Sequence, residues 1–240
     1  SLSIQSITPS YDGKKVLIAY ATQGAEVSTL KVLDVGSKQF LKDNVYPASN
    51  AGLSWAFDNK SFLYVWLKTD DNKDPKARLN TKTKLHVLGE DNTADRDFFS
   101  NESYPDLKID PRVYPYAILN KNSRIYIFSG EYSVQPEFKM HYAPIGQLKS
   151  KKVNWQVLCS PADKLVRGME LVGDHAYAIT YNQAKNYRLI ATNLQHPDWA
   201  NATTIAAEKS DQTLESITHS KDFLFLTYSD GKHLKKNFKE

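Results

Sequence analysis

The sequence predicts an all-β fold, a partial β-propeller, and three observations predict it. A strand–turn–strand unit recurs along the chain. Aromatic residues make up 12% of it, with 14 Tyr, 10 Phe and 4 Trp, a load that suits pleated sheet faces better than helical bundles. No segment sustains the 3.6-residue apolar period of an amphipathic helix.

The first copy opens with the short strand Ser6-Ile7-Thr8-Pro9, turns at Asp12-Gly13 and continues as the apolar strand Val16-Leu17-Ile18-Ala19-Tyr20. Asp-Gly tolerates the positive φ that a tight hairpin demands. A third strand is expected over 29–35 and a fourth over 39–41. The second copy starts 46 residues later at Gly52: Leu53-Ser54-Trp55, a turn at Asp58-Asn59, then Phe62-Leu63-Tyr64-Val65-Trp66, with a third strand over 82–88. In the third copy, 117–128, the turn is Asn120-Lys121-Asn122, and strands follow over 138–143 and 155–158. The fourth, 169–179, turns at Gly173-Asp174 and continues over 187–193 and 203–206. The fifth, 215–226, is read as stopping after its second strand, the basic run Lys232–Lys239 being a solvated tail.

Four short strands and their loops per repeat is the size of a propeller blade. Residues 1–240 are therefore expected to form a single partial β-propeller domain of about four and a half four-stranded blades, with repeat starts near 6, 52, 117, 169 and 215. A half-built blade leaves edge hydrogen-bonding groups unpaired. An open end face also forfeits apolar burial at roughly 25 cal/mol per Å². The expectation is a piece of a longer polypeptide, or self-association through the open blade faces.

Composition excludes several classes. No run of about 18 apolar residues offers a bilayer span, so no membrane partner is expected. A net charge of +4 and a pI near 8.9, with no basic stripe outside the last residues, argue against a nucleic-acid partner. The single Cys159 rules out an internal disulfide or thiolate metal cluster. The start, Ser1-Leu2-Ser3-Ile4-Gln5, has neither a basic nor an apolar leader region and reads as a trimmed end; a soluble chain of cytoplasm or periplasm is expected.

Catalytic motifs are missing as well. Gly52-Leu53-Ser54-Trp55-Ala56 begins like the nucleophile elbow G-x-S-x-G but lacks its closing glycine, and it reads as a blade strand. There is no G-x-G-x-x-G or P-loop, so no cofactor is expected. His86, His141, His175, His196, His219 and His233 show no paired ligand spacing, so no metal is expected either. Trp55, Trp66 and Trp155 are expected to pack between blades, and Cys159 to behave as a small buried hydrophobe.

Several segments resemble a known family. Asp12-Gly13-Lys14-Lys15-Val16, followed by Leu30-Lys31-Val32-Leu33-Asp34-Val35, is similar to the first repeat in the propeller of prolyl oligopeptidases. Leu53-Ser54-Trp55 with Asp58-Asn59-Lys60 resembles the next blade, I-x-W-x-x-D-G-K. Lys84-Leu85-His86-Val87-Leu88-Gly89 resembles the L-x-x-H-x-L-G strand, Asn186-Tyr187-Arg188-Leu189-Ile190 the N-Y-R-L-I strand, and Leu214-Glu215-Ser216-Ile217 the V-L-E-x-V strand. The resemblance runs over almost the whole chain in order. It implies a seven-bladed propeller capping an α/β-hydrolase domain, of which this chain would be an internal slice. The Ser–His–Asp chemistry would lie on that domain, absent here, in a parent proline-specific serine endopeptidase acting on short proline-containing peptides. The propeller would gate their access.

One substrate-binding residue carries over. Tyr104-Pro105-Asp106 matches an F-P-D segment whose ring lies near the substrate's P3 side; alternatively, Tyr104 is a loop aromatic packed on its own blade. The family's Arg in the loop before N-Y-R-L-I has no counterpart in Thr180-Tyr181-Asn182-Gln183. The competing reading is a stand-alone binding propeller, against which the repeats lack the G-H and W-D signatures.

Overall fold

The computed structural model describes residues 2–22, 25–71, 73–74 and 76–239. They fold into two compact units, one of Ser1–Lys121, Ile127–Ser133 and Gln147–Asn154, the other of Asn122–Tyr126, Val134–Gly146 and Trp155–Glu240.

In the first unit, β1 (Leu2–Pro9), β2 (Lys15–Thr22), β3 (Ser28–Asp34) and β4 (Gln39–Ala48) form an antiparallel meander. Its strands alternate as a half-buried sheet should: Leu17, Ala19 and Ala21 of β2 and Leu30 and Val32 of β3 point inward. A second meander follows: β5 (Ser54–Trp55), β6 (Ser61–Trp66), β7 (Lys82–Val87) and β8 (Arg96–Phe99). Among the described residues the pair Ala48–Trp66 ties its backbone to β4, which makes the two meanders one sheet. β6 is buried on both faces from Ser61 to Val65, which explains its unbroken apolar run.

Side chains join the two meanders. Leu17, Ala19, Leu30, Val32 and Val45 pack in one core with Trp55, Phe62 and Tyr64. The indole N–H of Trp55 donates to the Thr8 carbonyl at 2.8 Å. The next strand, β9 (Tyr114–Asn120), is held in the same way. Tyr11 donates its hydroxyl to the Leu119 carbonyl, and Ser54 Oγ accepts the Leu119 N–H at 2.9 Å. Ser54 is therefore a buried strand-to-strand bridge, as its motif context suggested.

β9 continues into a four-stranded sheet ordered β12-β11-β10-β9, with β10 (Ser123–Tyr132), β11 (Met140–Pro144) and β12 (Gln156–Cys159). In the second unit, β13 (Leu165–Val172), β14 (His175–Thr180), β15 (Arg188–Asn193) and β16 (Thr203–Ala206) form a further four-stranded sheet. β17 (Thr213–His219), β18 (Leu224–Ser229) and β19 (Leu234–Lys239) form a three-stranded one. Ile179 and Leu189 of the former pack on Leu214, Ile217, Leu226 and Tyr228 of the latter. The Trp199 indole donates to the Leu158 carbonyl at 2.8 Å, the same device as Trp55.

Two readings are corrected. Lys232–Lys239 is not a tail: after a turn in which Asp230 accepts the N–H groups of Lys232 and His233, it runs as β19 along β18 from Leu234 to Lys239. Leu234 and Phe238 on it are 71% and 65% exposed, so no buried face marked it as a strand. The second repeat also has a fourth strand, β8, which sequence reading missed. Among the described residues no helix is long and apolar enough to cross a membrane.

Candidate functional site

Up-and-down strand order sorts the loops. In each meander the loop between second and third strands and the crossover to the next sheet emerge at one end, and the remaining turns at the other. Aromatic and charged side chains collect at the crossover end.

In the first unit this end carries a cavity of about 260 Å³ lined by Glu26, Asn50, Leu67, Arg78, Tyr114 and Tyr132. Tyr116 stacks on Tyr132 with centroids 4.3 Å apart, and Arg78 faces Glu26 at 3.7 Å. Burial pushes the Tyr114 hydroxyl up, Arg78 partly opposing it.

Tyr104 lies in the β8–β9 crossover of the same unit. It precedes a 3₁₀ turn, Pro105–Leu107, which Lys108 closes in the left-handed region. Its side chain is turned into the protein: the residue is 7% exposed, its hydroxyl accepts the buried Val153 N–H at 2.9 Å, and its ring lies 6.1 Å from Phe99. Lys152 stands over the ring at 5.8 Å.

In the second unit the crossover end gathers Lys164, Arg167, Tyr181 and Tyr187. Tyr181 donates to Glu137 at 2.7 Å, under the Lys164 ammonium. Arg167 sits in a bulge of β13, between Val166 and Met169, with φ of 65°. That left-handed backbone is costly for a residue with a Cβ. It directs the guanidinium onto the Tyr187 ring at 4.3 Å and into an ion pair with Glu215. Burial opposes the Arg167 charge, but Tyr187 and Glu215 outweigh it and raise the group. The loop 180–183 has no cation of its own; the structure brings Arg167 against the Tyr of the N-Y-R-L-I strand from another strand, a pairing no sequence spacing signals.

The most buried ionisable cluster is elsewhere. His86 on β7 lies between two carboxylates, Nδ1 2.8 Å from Asp95 Oδ1 and Nε2 3.1 Å from Asp43 Oδ1. Tyr64 donates to Asp95 Oδ2 at 2.8 Å, and the Gly89 N–H donates to Asp43 Oδ1 at 2.6 Å. His86 and Gly89 thus both hold the Asp43 carboxylate of the preceding meander.

Other histidines behave differently. Burial, with Lys139 adding to it, holds His141 down at about 4. Among the described residues no three His, Cys, Asp or Glu side chains are grouped as a metal site would need. Cys159 is buried and its thiol is pushed up to about 12 by that burial.

Comparison with known proteins follows the same lines. Residues 1–234 match the family described as prolyl oligopeptidase, N-terminal beta-propeller domain. A prolyl endopeptidase of Elizabethkingia meningoseptica is 23% identical over 222 residues, 91% of this chain and 30% of that protein. One of two prolyl endopeptidases solved to study inter-domain dynamics in catalysis and specificity superposes with a TM-score of 0.82 at 21% identity, over 99% of this chain and 34% of that one. Prolyl oligopeptidase B of Galerina marginata, bound to a 25mer macrocyclization substrate, gives 0.78 at 16% identity, over 99% and 34%. The chain spans about a third of the length of these relatives.

Proposed function

Because the chain belongs to the prolyl oligopeptidase family as its N-terminal β-propeller domain, we propose that it is the non-catalytic, gating part of a proline-specific serine peptidase. The observation that carries this reading is the family match over 1–234 by a chain about a third the length of its relatives. The sheets admit short, extended peptides and turn away folded chains. Bond cleavage belongs to an α/β-hydrolase domain on the same polypeptide, outside these residues.

The crossover ends suit such a partner. Tyrosine faces such as Tyr114 and Tyr132 offer apolar contact to a proline ring, while Arg78 and Arg167 offer planar donors to peptide carbonyls or carboxylates. Tyr104 enters this proposal as a buried support for the wall near the P3 side, its hydroxyl holding the Val153 segment.

The test uses the intact protein. It should hydrolyse a reporter with proline at P1 and spare the alanine analogue. A serine-directed fluorophosphonate should label a serine outside residues 1–240. Equal turnover of both reporters, or labelling within 1–240, overturns the proposal.

A further inference from the structure

We propose that His86 is a proton-operated clamp between the first and second meanders of the chain, holding β4 to β7 while protonated and loosening that contact as it loses its proton. Each imidazole nitrogen faces a carboxylate oxygen, at 2.8 Å and 3.1 Å. A carboxylate only accepts, and a neutral imidazole has one N–H. Both lines can be hydrogen bonds only if the ring carries both protons or one carboxyl group carries one.

The remaining contacts favour the charged ring. Asp95 Oδ2 already accepts from Tyr64, and Asp43 Oδ1 from Gly89, so each carboxylate is served as an anion by a neutral donor. A protonated carboxyl would still accept those bonds but without their charge assistance. His86, Asp43 and Asp95 are 1%, 4% and 9% exposed, so water cannot replace a lost partner.

Other ionisable groups around the ring leave the balance intact. On β6, Phe62 packs on the imidazole at 5.0 Å and Tyr64 reaches it only through Asp95. On β7, Lys84 turns away to Asp97 and the Trp66 ring, and Lys82 to Asp97 and Glu102. Before β8, Asp91 is engaged by Thr93 and is also lowered by the charge of His86, an attraction that favours the protonated ring, and Asp97 on β8 acts on Tyr64 rather than on the ring. On β4, the Lys42 stem passes Gly89. Burial pulls the imidazolium down, and the bonds to Asp95 and then Asp43 outweigh it, so the ring holds its proton above its ordinary 6.5.

Loss of that proton leaves a bare nitrogen lone pair against a buried carboxylate. The sign follows: a raised folded value stabilises fully below about 6.5 and the contribution is lost as pH rises through the folded value. Asp43 lies on β4 of the first meander and His86 on β7 of the second, and among the described residues the backbone ladder joins the two meanders at Ala48–Trp66. The clamp therefore adds a pH-dependent hold between β4 and β7 to the apolar core and the Trp55–Thr8 bond that join the two meanders.

The experiment is a pH series on the intact protein. Ring-¹³C histidine NMR should give His86 a midpoint above 6.5. Amide exchange, corrected for its intrinsic pH dependence, should quicken in 39–48 and 82–89 between about pH 6 and 8.5, while 188–193 stays constant. His86→Gln should abolish that response. Should that variant not fold, Asp43→Asn, which keeps an acceptor for Gly89 but removes the charge, should lower the His86 midpoint and quicken exchange already at pH 6. A midpoint at or below 6.5, a neutral ring throughout, a response that survives in His86→Gln, or an unmoved midpoint in Asp43→Asn overturns the proposal.

Discussion

Replacement of Trp55 tests whether side chains, rather than backbone, hold consecutive meanders together. Trp55 is 2% exposed, lies edge-on to Phe62 at 5.6 Å, and donates its indole N–H to Thr8 in the preceding meander. Trp55→Ala removes the largest side chain of that core and leaves a cavity, a change that costs about 3–5 kcal/mol. Trp55→Phe keeps a ring but removes the donor and some contact, and should cost about 1–2 kcal/mol. Net stability is only about 5–15 kcal/mol, so the alanine variant gives up a large share. The assay is chemical denaturation paired with amide exchange. Protection should fall in both β1 and β6, because the bond spans two meanders. A Trp55→Phe variant with unchanged stability, or loss confined to β5 and β6, would refute the reasoning.

Three further outcomes are expected. Tyr104→Phe should destabilise by about 1–3 kcal/mol, since the buried Val153 N–H loses its acceptor, and should leave KM for P3-extended peptides unchanged in the intact enzyme, whereas Tyr104→Ala should raise it; an unchanged KM in both removes Tyr104 from the peptide path. His141 keeps a folded value of about 4, so the unfolded chain takes its proton first and up to about 3 kcal/mol is lost between pH 6.5 and 4; a denaturation series in which His141→Leu shows the same acid slope contradicts this. Arg167→Gly should be more stable than Arg167→Ala by about 1 kcal/mol, because both lose Glu215 and Tyr187 but only glycine is relaxed at φ of 65°; equal stabilities speak against backbone strain there.

Much of the fold was legible because its signals are local. Asp12-Gly13 and Gly173-Asp174 announce their hairpins, and Leu17, Ala19, Leu30 and Val32 alternate as a half-buried sheet requires. The missed strands lacked that signal. β8 is short and opens with Arg96-Asp97, and β19 carries Leu234 and Phe238 exposed among its lysines, so no buried side chain on those positions marked it as a strand. The sites were less legible because their chemistry is assembled across repeats. His86 and Gly89 stand out together in β7 and the turn after it, but nothing in the sequence links them to Asp43 a meander earlier. Arg167 reaches Tyr187 only through a bulge with a left-handed residue. Tyr104 was singled out by its Pro-Asp context, which locates the loop but does not say which way the ring faces.

The central claim, that these sheets limit what reaches an active site located outside them, is tested most directly by substrate size. The measurement is the ratio of kcat/KM for a short proline peptide to that for the same sequence within a long unfolded chain, for the intact protein and after excision of residues 1–240. The account predicts a ratio far above one that collapses towards one on excision. A ratio near one in the intact protein, or one that excision of a still-active remainder leaves unchanged, would contradict it.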